Sequence, residues 1–129
     1  MILLTLRLVL SAERRHELVR VLRSHVEPTR AEPGCVSCRL YRDVYDENAV
    51  SLAEEWRSRA DLERHVRSPH YRQILAVMDA AAEPPEFTIK AIASSAGLEE
   101  IEALRGHECV ARQRGCGAGP AEGRTAPPF

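Results

Sequence analysis

A chain of 129 residues has room for one domain and little beyond it, and with 44% hydrophobic and 29% charged residues it has the make-up of a globular protein with a single core. A formal charge of -1 leaves no concentrated basic face, which removes the electrostatic case for nucleic acid or an anionic membrane surface as partner. No apolar run approaches the ~20 residues of a membrane helix, so no membrane partner and a cytoplasmic protein are expected.

The first ten residues form an apolar run broken by Arg7, without the positive leader or small-residue cleavage site of a secretion signal, and are expected to be a buried strand. Ser11 then supplies a helix N-cap, and the helix is expected to end near Val26 because Pro28 follows. Leu18, Val21, Leu22 and Val26 make its apolar stripe, and His25 falls within the same arc. A satisfied core histidine and a functional one are both compatible with that position.

Glu32-Pro33-Gly34 is a turn signal, after which residues 35–45 alternate as a strand. Val36, Cys38, Leu40 and Val44 share one face, opposite Cys35, Ser37, Arg39, Tyr41 and Asp43. Asp46-Glu47-Asn48 closes a hairpin into a second arm, residues 49–56, in which Val50, Leu52, Glu54 and Trp56 share a face. That alternation puts Glu54 on the apolar side, and a slip of one residue would reverse it.

Ser58 and Asp61 have capping-box spacing at the start of a short helix carrying Leu62, His65 and Val66. Ser68-Pro69 restarts a helix with proline at its first position, whose buried side is expected to hold Tyr71, Ile74, Leu75, Met78 and Ala82. His65 and His70 fall at the edges of these stripes, as suits a cleft rim or plain solvent exposure. Residues 87–92 read as the last strand. The order strand, helix, strand, strand, helix pair, strand is that of an α+β ferredoxin-like split βαβ fold with an antiparallel sheet. Residues 1–93 are the expected domain. Residues 94–129 are a C-terminal extension, with a short helix docked by Leu98, Ile101 and Leu104 and a mobile Gly- and Pro-rich stretch from residue 115.

Cys35-x-x-Cys38, with His107, Cys109 and Cys116 downstream, can be drawn as a zinc or redox motif. Residues three apart on a strand point to opposite faces, so reduced, metal-free thiols are expected instead. The densest group of reactive side chains lies elsewhere. Glu54, Glu55 and the single tryptophan, Trp56, close one strand, and His65 and His70 follow within fourteen residues. An acid, imidazoles and an aromatic wall suit a small-molecule pocket, and equally a core tryptophan beside two surface histidines.

The run Glu32-Pro-Gly-Cys-Val-Ser-Cys-Arg-Leu-Tyr-Arg-Asp43, the Glu54-Glu-Trp56 strand end and Ser68-Pro-His-Tyr71 resemble, in that order, the antibiotic biosynthesis monooxygenase family. The resemblance covers about residues 1–93. It implies a ferredoxin-like protomer that pairs sheet to sheet with a second copy as a dimeric α/β barrel, with a pocket between sheet and helices. It implies a quinol-type monooxygenase without cofactor, acting on a hydroquinone or polycyclic phenol with molecular oxygen. Leu52 stands where polyketide-type members carry an asparagine. Thr5 and Arg7 stand where the haem-degrading branch needs one. The expected catalytic residues are His70 or His65 as base, Glu54 to orient it and Trp56 to stack on the substrate, with His25, Leu52, Tyr71, Ile74 and Met78 lining the pocket. No Gly-rich phosphate loop follows the first strand, and a histidine with a pKa near ~6.5 suits removal of a phenolic proton. An isomerase on the same fold and a non-catalytic ligand-binding or stress-response barrel are the alternatives.

Overall fold

The computed structural model describes residues 1–106. His107, Cys109, Cys116 and the stretch expected to be mobile lie outside the described residues. The chain forms two units, Met1–Ala93 and Ser94–Phe129. In the second, helix α4 (Leu98–Arg105) ends on Gly106 in the left-handed region. Leu98, Ile101 and Leu104 all lie on this helix.

The first unit runs β1 (Ile2–Val9), α1 (Arg15–Arg30), β2 (Cys35–Arg42), β3 (Ala49–Trp56), α2 (Arg59–Arg67), a 3-10 turn (Pro69–Tyr71), α3 (Arg72–Asp79) and β4 (Glu86–Ala91). The sheet order is β2-β3-β1-β4 with every pair antiparallel, the ferredoxin-like arrangement expected from the order of elements. Period-two alternation sends Leu4, Leu6 and Leu8 of β1 and Val50, Leu52, Glu54 and Trp56 of β3 to one face, where all are buried. Leu18 and Leu22 of α1 and Ile74 and Val77 of α3 complete the main core there. Each such aliphatic side chain stabilises the fold by about 1.5–3 kcal/mol. Leu4, Trp56 and Leu62 form a second, smaller cluster. The opposite face pairs polar groups: Thr5 with Thr88, Arg7 with Asp43, and Ser37 with Glu55.

Several local expectations are corrected. Ser11 heads a turn before α1, and the helix continues through Pro28 to Arg30. Proline deprives the helix of one hydrogen bond, but the last turn is tied down elsewhere. Thr29 Oγ1 donates to the carbonyl of His25 at 2.7 Å, and Arg30 Nε donates to the carbonyl of Cys38 at 3.0 Å. β2 ends at Arg42, so Val44, which is 93% exposed, belongs to the hairpin loop and not to the strand. Along the 3-10 turn and α3 the inward positions are Tyr71, Ile74 and Val77; Leu75 is exposed, and α3 stops before Ala82.

A bulge between Cys35 and Ser37 shifts the register of β2, so Cys35 packs on the same core that contains Cys38. The two thiols therefore do not diverge as regular alternation predicts. Both are free. Burial, and after it the Glu54 carboxylate, raises the Cys38 thiol to about 12, which leaves it protonated and unreactive.

Gly34 performs the expected turn at φ +84°, and a Cβ there would meet the Asp61 carboxylate at 2.2 Å. Its carbonyl accepts the Arg57 N–H at 2.8 Å, so the turn is fastened to the end of β3. Gly34→Ala is expected to cost about 1–3 kcal/mol, measurable as a lower urea midpoint. A midpoint equal to wild type would show that the turn is not constrained.

Candidate active site

Three elements deliver side chains to one buried point. β3 contributes Glu54 and Trp56, two residues apart and so on one face. His25 lies one helical turn beyond Leu22 on α1, and His65 one turn beyond Leu62 on α2. Ser58 caps α2 by accepting the Asp61 N–H, while its hydroxyl donates to the Asp61 carboxylate, which fixes where the helix begins. His25, Glu54, Trp56 and His65 are all 0% exposed.

Trp56 Nε1 donates to Glu54 Oε1 at 3.1 Å. The same oxygen lies 3.4 Å from His65 Nε2, while Glu54 Oε2 lies 3.6 Å from His25 Nε2. On its other side His65 Nδ1 is 2.7 Å from Glu32 Oε2, a carboxylate supplied by the Gly34 turn and partly open to solvent. An imidazole between two carboxylates can donate to both only as the cation. Burial works against the charge, but Glu54 and then Glu32 outweigh it and raise the His65 pKa. Burial would likewise push Glu54 up, yet its contacts with His25, His65 and Trp56 hold it down to about 2.

His70 is the outermost of the group and is half-buried. Its ring stacks on His25 at 4.2 Å and 8°, and its Nε2 is 3.4 Å from Thr29 Oγ1. Burial, followed by the neighbouring His25, lowers its pKa, so the neutral form that can accept a proton is favoured. Tyr71 packs edge-on to His65 at 5.2 Å, and burial and Glu54 raise its phenol to about 12.

The structure thus brings His25, Glu54, Trp56, His65, His70 and Tyr71 together, with two corrections. His65 is interior and not at a rim. The Trp56 indole has no open face for a substrate, because it is buried against Leu4 and Leu62 and stands 4.7 Å from the His65 ring. Leu52 and Ile74 are part of the main core, with Met78 packed at its edge, so they support the site without lining an open pocket. A surface hollow of about 420 Å³ lies instead between α1 and the β2–β3 arms, lined by Arg23, Arg30, Leu40, Tyr41, Arg42 and others. It contains none of the expected site residues. Its lining holds guanidinium groups and the Glu27 carboxylate but no imidazole, whereas the imidazoles gather at the buried cluster, of which His70 is the half-exposed member. Glu32 and Thr29 were not among the expected site residues; the turn signal that places Glu32 was visible, its partner was not.

The cluster also makes stability depend on pH. The depressed Glu54 contributes stability that is present above its ordinary 4.5 and is lost as pH falls toward about 2. The raised His65 contributes stability that is present below its ordinary 6.5 and is lost as pH rises through its folded value. Glu32, Cys35, Tyr71, His25 and His70 face the same point. Urea midpoints in chelator at about pH 3, 5.5 and 9 should therefore be highest at the middle value. A monotonic trend would contradict the buried ion pair.

A ferredoxin-like sheet with a buried carboxylate held by imidazoles and an indole defines the class of molecule, and the wider comparison places it. The chain belongs to the antibiotic biosynthesis monooxygenase family, which it matches over residues 1–77. It is 32% identical over 87 residues to the uncharacterized protein sll1783 of Synechocystis, covering 67% of this chain and 59% of that protein. It is 44% identical over 57 residues to the candidate monooxygenase Rv0793 of Mycobacterium tuberculosis, covering 44% of this chain and 55% of that protein. The chain thus spans less than two thirds of the length of either relative in those alignments. The solved structure of Rv0793 superposes with a TM-score of 0.69 at 31% identity, over 74% of this chain and 98% of that one. The structure of PA3566 from Pseudomonas aeruginosa does so with 0.65 at 27% identity, over 72% and 94%. Family and relatives support a monooxygenase-type function. Among the described residues no helix is long and apolar enough to cross a membrane.

Proposed function

We propose that the protein oxidises an electron-rich phenol or hydroquinone to a quinone with molecular oxygen, the substrate itself supplying the electrons. The observation that carries this reading is His70: a half-exposed imidazole stacked on His25, backed by the buried Glu54 carboxylate and the rest of the cluster. His70 takes the phenolic proton. The electron-rich anion passes one electron to oxygen, and recombination of the two radicals forms a carbon–oxygen bond. The O–O bond then breaks as the hydrogen leaves that carbon, giving the carbonyl and water. One oxygen atom enters the product and the other leaves as water, with no external reductant.

The test is oxygen uptake with a panel of hydroquinones and anthrones, with heavy-isotope oxygen traced into the quinone. One oxygen consumed per quinone formed is expected. A strict requirement for added flavin or reduced nicotinamide would overturn the cofactor-free route. Turnover without oxygen would favour an isomerase, and binding without turnover a non-catalytic barrel.

The reading includes a homodimer joined through the sheet face that carries Arg39, Tyr41 and Glu55. Family membership supports it, as does the half-exposed Tyr41 ring among polar pairs on that face. Sedimentation at micromolar concentration should give a dimer, and a stable monomer would count against it.

A further inference from the structure

Four ring or carboxylate atoms in the cluster, His25 Nδ1, His25 Nε2, Glu54 Oε2 and His65 Nε2, are buried without a hydrogen-bond partner. Leaving such groups unmet in an apolar interior is unfavourable, and more so where charge is involved. The three residues meet at one place: a ligand atom from each of His25, Glu54 and His65 lies within 4.8 Å of the other two. We propose that His25 Nε2, His65 Nε2 and the Glu54 carboxylate hold one divalent cation of the zinc class.

Three features of the surroundings favour a metal over an accidental meeting of polar groups. The first is spacing. Tetrahedral ligands at zinc distances stand about 3.3 Å apart, whereas octahedral neighbours stand about 3 Å apart. His65 Nε2 stands 3.4 Å from Glu54 Oε1 and His25 Nε2 stands 3.6 Å from Glu54 Oε2, so each imidazole meets one oxygen of the carboxylate at a separation near the tetrahedral edge. The ligand atoms of His25 and His65 lie within 4.8 Å of each other, and no hydrogen bond ties either ring nitrogen of His25. The second is the outer shell. Glu32 receives the proton of His65 Nδ1 at 2.7 Å, which aims the Nε2 lone pair inward, and the Trp56 indole fixes one Glu54 oxygen while leaving the other free. A carboxylate behind a ligating histidine is the usual support of such a site. The third is charge. Ligation needs neutral imidazoles, and Glu32 and Glu54 then leave two negative charges that a divalent cation cancels.

The inference goes beyond the oxygenase reading and does not depend on it. His70 is not a ligand, and the electrons of the proposed oxidation come from the substrate whether or not a redox-inert cation lies beneath it.

The test uses the full chain, stripped with chelator, then exposed to zinc or cobalt sulfate both in the folded state and during refolding from urea, because the ligands are enclosed. One equivalent of metal is expected after exhaustive dialysis, with a raised Tm and, for cobalt, the intense visible bands of a tetrahedral site without thiolate charge transfer. Glu54→Gln should abolish binding. Glu32→Gln, at the partly exposed outer shell and so tolerant of substitution, should weaken it by about 10–100-fold. Replacing all four cysteines with serine should leave the stoichiometry unchanged. Failure to bind by either route would overturn the proposal, as would binding lost with the cysteines, or binding kept unweakened in both glutamate variants. None of these readouts requires oxygen uptake, so the two readings can fail separately.

Discussion

Replacing Glu54 with alanine is expected to remove about 3–5 kcal/mol of stability in the metal-stripped protein, against a total of about 5–15 kcal/mol for an ordinary domain. The substitution deletes a buried anion and leaves its partners behind. Trp56 Nε1 loses its acceptor, His25 Nε2 loses its one close oxygen, and His65 keeps only Glu32 to offset a charge enclosed in the core. The space of the lost side chain adds a cavity term. Glu54→Gln keeps the volume and an acceptor for the indole, and should cost less, about 1–3 kcal/mol. Glu47→Ala is the control, because that side chain lies in the hairpin loop, 83% exposed, with a 3.7 Å contact to Arg15. It should stay within about 0.5 kcal/mol of wild type. Urea unfolding followed by Trp56 fluorescence and by circular dichroism measures all three. Equal midpoints for the Glu54→Ala and Glu47→Ala proteins would refute the account of the cluster.

What could be read from sequence follows the range of each signal. The side of β3 on which Glu54 and Trp56 lie is a period-two property of eight residues, and it was legible. So were the hairpin, the Ser58 cap and the proline-led start at Ser68, each set by residues a few positions apart. Pro28 was read as a stop because proline denies the helix a hydrogen bond, but Thr29 and Arg30 hold the last turn through contacts that local patterning does not reveal. The bulge at Cys35 is one inserted residue, invisible to alternation, and it turned a sound rule about strand faces into a wrong placement of one thiol. The depth of His65 was missed for another reason. An isolated helix shows a histidine at the margin of its stripe, and only Glu32, 33 residues away in sequence, and Glu54 on another element make full burial of that ring affordable. A buried polar cluster joins distant segments through charge, and periodicity carries no information about it.

On whichever phenol supports oxygen uptake, His70→Ala is expected to lower kcat by about 10²–10⁴-fold, the range for loss of a positioned general base. The fold should survive, because His70 is half-buried and its contacts are ring packing on His25 and, at 6.3 Å, on His65, with a long 3.4 Å approach to Thr29. KM should change little if the substrate is held chiefly by its ring. The depressed pKa of His70 fixes the direction of the pH profile: the neutral form is active, so kcat/KM rises with pH and its acid limb lies below the ordinary 6.5. In His70→Ala that limb should disappear, and added imidazole should restore part of the rate by reoccupying the space. His65→Ala serves as the contrast. Its ring is enclosed between Glu54 and Glu32, so its loss should act first on stability, and on rate only through the placement of Glu54. A His70→Ala protein that keeps the wild-type rate and acid limb, while His65→Ala loses both without unfolding, would transfer the base to His65 and show that the enclosed ring opens to substrate during turnover.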